Sequence, residues 1–162
     1  MAELKPYGKW SKGKVIVVDD EDYALLSTYR WHVYPDHNSG KFYAWCHVKR
    51  KMTPIAALIL PKETGKIVDH RDGDPLNNKR SNLRYATRGQ NSRNVPVPKN
   101  NTTGFKGVHW LGGNRWQARI GHNGRLIHIG VFRSRHKAAS AYNRMAIALF
   151  GEFARINENS FQ

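Results

Sequence analysis

Acidic residues are scarce in this sequence: 12 Asp and Glu stand against 27 Lys and Arg, a formal net charge of +15 over 162 residues. A chain so charged repels itself unless a polyanion relieves it, and DNA or RNA is the commonest polyanion partner. Cysteine is scarcer still. Cys46 stands alone, which excludes an internal disulfide and a cysteine-based zinc site and fits a reducing cytosol. Long apolar runs are missing too. No stretch approaches the ~20 residues needed to span a bilayer, and the polar opening from Met1 to Lys14 has no apolar core of a secretion signal. No membrane contact is therefore expected, and no protein partner is evident. The 40% hydrophobic content, with 5 Trp, 7 Tyr and 6 Phe, excludes a disordered tail and requires packed domains.

The segment from Arg88 to Gly104 (RGQNSRNVPVPKNNTTG) has almost nothing apolar after Val97 and carries Pro96, Pro98 and a run of Asn and Thr. It divides the chain into a domain over 1–95, a linker over 96–103 and a second domain over 104–162. In the first domain, Lys14 to Val18 predicts a short strand and Asp19-Asp20-Glu21-Asp22 opens a helix through Leu26, where the carboxylates suit the positive end of the helix dipole. That acidic cluster is read as a solvated helix start rather than a metal site. Tyr29 to Tyr34 and Lys41 to Val48 predict a hairpin, and Thr53-Pro54 a helix start with the hydroxyl as cap.

The most chemically informative stretch is Ile67 to Asn94. A β-branched pair runs into Asp69-His70, a loop passes Gly73, Pro75 and Asn77-Asn78, and Leu83 to Thr87 returns as a strand before a polar segment able to form a short helix. This β-loop-β-helix unit would gather Asp69, His70, Asn82 and Asn91. Phosphodiester hydrolysis needs a base to activate water and a cation to steady the leaving oxygen. Histidine titrates near neutrality and suits the first role, while Asp and Asn oxygens suit a hard ion such as Mg²⁺ or Mn²⁺. Taken singly, an Asp-His pair or an Asn-rich loop is usually only a turn.

As a whole, VDHRDGDPLNNKRSNLR followed by QN resembles the HNH endonucleases, particularly the phage homing-endonuclease branch. The resemblance covers residues 10 to 95 and is strongest over 66–94, the ββα-metal core of that family. It implies that His70 is the general base, that Asp69 and Asn91 hold the divalent metal, and that Asn82 bonds across the loop to orient His70. Relatives often carry Leu-His-Arg just before the motif; this chain has Thr53 to Leu58 there instead, and Asn91 stands where many relatives use His.

Downstream, Phe105 to Trp110, Arg115 to Gly121 and Arg125 to Phe132 predict three strands, with Asn123-Gly124 a hairpin turn. A helix follows from cap Ser134 to Gly151, with Ala138, Ala141, Tyr142, Met145 and Leu149 along one face. Alternation turns Trp116, Ala118 and Ile120 to the helix and Arg115, Gln117 and Arg119 away from it. Between Thr102 and Arg155 nine Lys or Arg face one acid, Glu152. From composition alone that face suits base reading, phosphate contact or plain solvation.

The order FKGVHW…NRWQARI…GRLIHIGVF…HKAASAYNRMAIALFGEFARIN resembles the AP2 DNA-binding domain over residues 103–157. The implied fold is α+β: a ββα-metal nuclease followed by a three-stranded antiparallel sheet packed on one helix. The contact positions implied are Lys106, His109, Arg115, Arg119 and His128, with Arg125 beside them and Tyr142 on the helix, on double-stranded DNA; strand alternation adds the outward Gln117, an amide able to read adenine. AP2 modules joined to HNH nucleases look like phage or mobile-element homing endonucleases, acting in the cytoplasm of a bacterium or phage-infected cell. A DNA-binding regulator with a decayed nuclease is the other reading that this arrangement allows. An RNA-associated protein finds no RRM or KH signature here.

Overall fold

The computed structural model describes residues 1–158 except Asn38, in the predicted hairpin turn, and Lys99, in the predicted linker; these two and residues 159–162 lie outside the description. The chain folds as two compact units, Met1–Arg88 and Gly89–Gln162. Among the described residues no helix is long and apolar enough to cross a membrane.

In the first unit, β1 (Ala2–Leu4) pairs antiparallel with β2 (Ile16–Val18), and α1 (Asp20–Leu26) follows at once. A three-stranded antiparallel sheet comes next: β3 (His32–Pro35), β4 (Phe42–Val48) and β5 (Lys51–Pro54), with β4 central. Ile16, Val18, Leu26, Trp31, Val33, Cys46 and Ile55 form its core, and the Trp31 indole donates to the Leu26 carbonyl (2.8 Å), satisfying the polar atom of a fully buried ring. α2 (Ile55–Ile59) starts later than its sequence signal suggests. Thr53 is drawn into the β4–β5 ladder opposite Cys46, so Pro54 takes the cap position and no side chain caps the helix. β6 (Ile67–His70) and β7 (Leu83–Ala86) then form a separate antiparallel pair joined by a 12-residue loop, 71–82.

The second unit takes in most of α3 (Arg88–Arg93) and a three-stranded antiparallel sheet of β8 (Val108–Trp110), β9 (Trp116–His122) and β10 (Arg125–Phe132), with β9 central. β8 is shorter than the predicted Phe105–Trp110 because Gly107 takes a left-handed φ of +72°, and the ladder begins only after it. α4 (Arg135–Phe150) lies on one sheet face. Its Ala138, Ala139 and Ala141 pack on Phe105, Val108 and Ala118, and Tyr142 and Ala146 on Ile120. Alanines on that stripe let helix and sheet backbones approach closely. Ser134 caps α4 through the His136 N–H, and Gly151 ends it at φ +53°.

Candidate active site and nucleic-acid face

β6 ends on Asp69 and His70, and the register of the pair sets what they face: Arg84 lies opposite Asp69 and Leu83 opposite His70. The connecting loop is built on side-chain amides and carboxylates. Asp72 accepts from the Asp74 N–H (2.8 Å), and Asp74 from the Leu76 N–H (3.0 Å). Asn82 spans the loop: its Oδ1 accepts from the Asp72 N–H (3.0 Å), while its Nδ2 donates to Asp72 Oδ1 (2.9 Å) and the Asn77 carbonyl (2.7 Å). Burial alone would raise the Asp72 pKa, but the Asp74 N–H and the Asn77 and Asn82 amides outweigh it and hold the carboxyl below its usual range.

His70 is held by a residue that sequence reading treats only as part of a turn. Asn78 is fully buried; its N–H donates to the Val17 carbonyl (2.7 Å) and its Nδ2 to the Pro75 carbonyl (3.0 Å). Since the Pro75 oxygen can only accept, the amide is oriented, and it is Asn78 Oδ1 that meets His70 Nε2 at 3.2 Å. In the neutral ring the proton therefore sits on Nε2 and the basic lone pair on Nδ1. Burial lowers the His70 pKa, against the pull of Asn78 and of the Asp72, Asp69 and Asp74 carboxylates.

Asp69 carries a buried counter-charge. Arg84 Nε (2.9 Å) and Nη2 (2.7 Å) both donate to its Oδ2, with both side chains 5–6% exposed. Asn91 sits on α3, half-buried. The Asp69 carboxylate and the Asn91 carboxamide are each hard oxygen donors, a donor type that fits Mg²⁺ or Mn²⁺ rather than a thiophilic ion.

The acidic cluster on α1 has a structural role. The Asp19, Glu21 and Asp22 carboxylates lie within 4.8 Å of one another, and Arg80 reaches them from the loop. Its N–H donates to Asp19 (2.7 Å), its Nε pairs with Glu21 (2.8 Å) and its Nη2 with Asp22 (2.6 Å). These contacts tie the β6–β7 loop to α1. What looks like a solvated helix start is an anchor.

In the second unit the alternation of β9 leaves Gln117 and Arg119 on the face away from α4. His109 lies opposite Gln117 on β8, and His128 opposite Arg119 on β10. Burial and the nearby Arg119 charge lower the His109 pKa. Arg115 and Arg125 are exposed at the starts of the β9 and β10 segments. Lys106 is set apart from these. Its Nζ donates to the Arg93 (2.8 Å) and Val95 (2.7 Å) carbonyls, and burial, with the Arg155 charge, pushes its pKa down to about 8. Tyr142 is in the core, and burial pushes its phenol up to about 12.

The β-loop-β unit and its helix match a family model described as HNH endonuclease over residues 61–93. A protein of Acanthamoeba polyphaga mimivirus, named as an uncharacterized HNH endonuclease, is 34% identical over 155 residues, 93% of this chain and 78% of that protein. The chain belongs to the HNH endonuclease family. Protein 3.8 of Escherichia phage T7 is 37% identical over 98 residues, 59% of this chain and 78% of its own length. No solved structure matches. HNH nucleases act on DNA and generally use a divalent metal. In this HNH endonuclease the matched segment takes in Asp69, His70, Asn78, Asn82, Arg84 and Asn91 together.

Proposed function

We propose that this endonuclease is of the homing type, a metal-dependent enzyme in which the first module cuts DNA at sites chosen by an AP2-like second module. The modules are those read from the sequence, with the nuclease over 1–95 and the reader over 104–162. The observation that carries the catalytic reading is the His70 ring, oriented by a buried Asn78 amide at the end of β6. His70 Nδ1 accepts the proton of the attacking water. Asn78 keeps the opposite nitrogen protonated, and Asn82 holds the loop in place around it. Asp69 and Asn91 would hold the divalent ion, Mg²⁺ or Mn²⁺, which when bound would supply charge stabilisation of the reacting phosphate and the leaving oxygen. Because Arg84 already offsets the Asp69 charge, these residues alone would hold the ion weakly.

The reader reading is supported by the polar face carrying the Arg119 charge with Gln117, His109 and His128 on a sheet backed by one helix. Such a face has the donors for the major groove of double-stranded DNA. The test is supercoiled plasmid carrying the element's insertion site, incubated with and without Mg²⁺. Metal-dependent relaxed or linear product is expected from the native protein and none from His70→Ala, which still binds the DNA. Unchanged plasmid under all conditions would refute cleavage and leave a binding protein.

A further inference from the structure

We infer that the outer face of the second unit's sheet reads an A·T base pair through Gln117 and Val131, with His128 fixing how Gln117 presents its amide. The inference rests on the proposed entry of this face into the major groove of DNA. Gln117 stands on the central strand β9, and its register partners are His109 on β8 and Val131 on β10, so the three form one row. Ala118 and Ile120 are buried against α4, which turns this row outward.

The register slips between His128 and Gly130, and this bulge leaves His128 beside Gln117 as well as opposite Arg119. Gln117 Nε2 lies 3.0 Å from His128 Nδ1. With Nδ1 as the acceptor, the amide nitrogen and not the oxygen stands at that end of Gln117. The contact uses one Nε2–H. One Nε2–H and Oε1 then remain, the donor–acceptor pair that matches adenine N7 and N6 in the major groove. Guanine presents two acceptors there, N7 and O6, and would set one against Oε1. In that orientation the amide discriminates between the purines.

Val131 supplies the second half. It is 50% exposed on the face that carries Gln117, Arg119 and His109, where Leu126, opposite Gly121, is the other exposed aliphatic side chain among the described residues. A lone exposed valine on a strand is ordinary. Directly opposite a pinned glutamine, however, its side chain lies about 5 Å away across the strands, at the reach needed for the C5 methyl of the paired thymine. Neither Gln117 nor Val131 carries charge, so the pair adds sequence discrimination where Arg119 adds affinity.

The test uses the full chain carrying His70→Ala, which leaves the DNA uncut, and a library of randomised duplexes. The retained duplexes should share an A·T pair whose preference falls about tenfold with Gln117→Ala, other positions being unchanged. Replacing that thymine by uracil should weaken binding about fourfold, the worth of one buried methyl, and should leave Val131→Ala indifferent. A Gln117-dependent G·C pair, a preference unmoved by Gln117→Ala, or equal binding of the uracil duplex would each overturn the inference while leaving the reader standing. Retention of no duplex would overturn the reader and the inference with it.

Discussion

Arg84 lies directly across the β6–β7 pair from Asp69 and gives two hydrogen bonds, 2.9 and 2.7 Å, to one carboxylate oxygen. Two charges this deeply buried are costly to desolvate, and breaking such a pair from one side strands the other charge. Arg84→Met should therefore destabilise the first unit by about 3–5 kcal/mol in urea unfolding. Replacing both residues, Asp69→Asn with Arg84→Met, should return most of that stability but no cleavage. A loss under about 1 kcal/mol for the single variant would mean that the pair is solvated in solution.

Asn78 makes a separate prediction through the ring it orients. Asn78→Ala removes the acceptor at His70 Nε2, so the neutral ring redistributes between its two tautomers and cleavage falls by about a hundredfold. Nitrogen NMR of the labelled imidazole reads the tautomer directly: Nε2-protonated in the native chain, mixed in the variant. Lost cleavage with an unmoved tautomer would reduce Asn78 to a loop support.

Much of this architecture was legible because its signals are local. Asn123-Gly124 turns a hairpin with φ of +49° and +74°, Ser134 caps α4, and the alternation of Trp116 to Ile120 sorts the two sheet faces. Asp69 and His70 end β6 and Asn82 spans the loop that follows, though Asn82 holds the loop backbone and Asp72 whereas Asn78 holds the ring. What escaped depends on register or on distant partners. β1 has three residues and is defined by its pairing with β2. Arg84 becomes the partner of Asp69 only once the β6–β7 register is drawn. Arg80 meets α1 across 58 residues of sequence. Thr53 joins a ladder where its sequence signal reads as a helix cap, and the Lys106 ammonium meets two backbone carbonyls that only the fold brings to it.

Lys106 provides a pH dependence with a definite sign. Its pKa falls from 10.5 to about 8 in the folded chain, through burial first and the Arg155 charge second. Between those two values the unfolded chain holds a proton that the native chain has released. Stability from this group therefore rises with pH across that window and is flat below it. Urea midpoints of the native chain minus those of Lys106→Met should increase from pH 7.5 to 9.5. A flat or falling difference would place the side chain in solvent.

Gly107 faces the tightest constraint in the second unit. At φ +72° an added Cβ would lie 2.1 Å from the Tyr142 ring and 2.6 Å from the Arg119 carbonyl. Neither neighbour can retreat. Tyr142 is buried on Ile120 and Ala146, and the Arg119 backbone is held in β9, with its own N–H donating to the Gly107 carbonyl (2.9 Å). Gly107→Ala thus combines left-handed strain with a clash into a packed core, and should cost the second unit about 3 kcal/mol or more. Tyr142→Phe keeps the ring and should cost far less, whereas Tyr142→Leu, which vacates part of the contact, should partly rescue Gly107→Ala. Thermal unfolding of the four variants decides this: equal losses for Gly107→Ala with and without Tyr142→Leu would assign the whole cost to backbone strain.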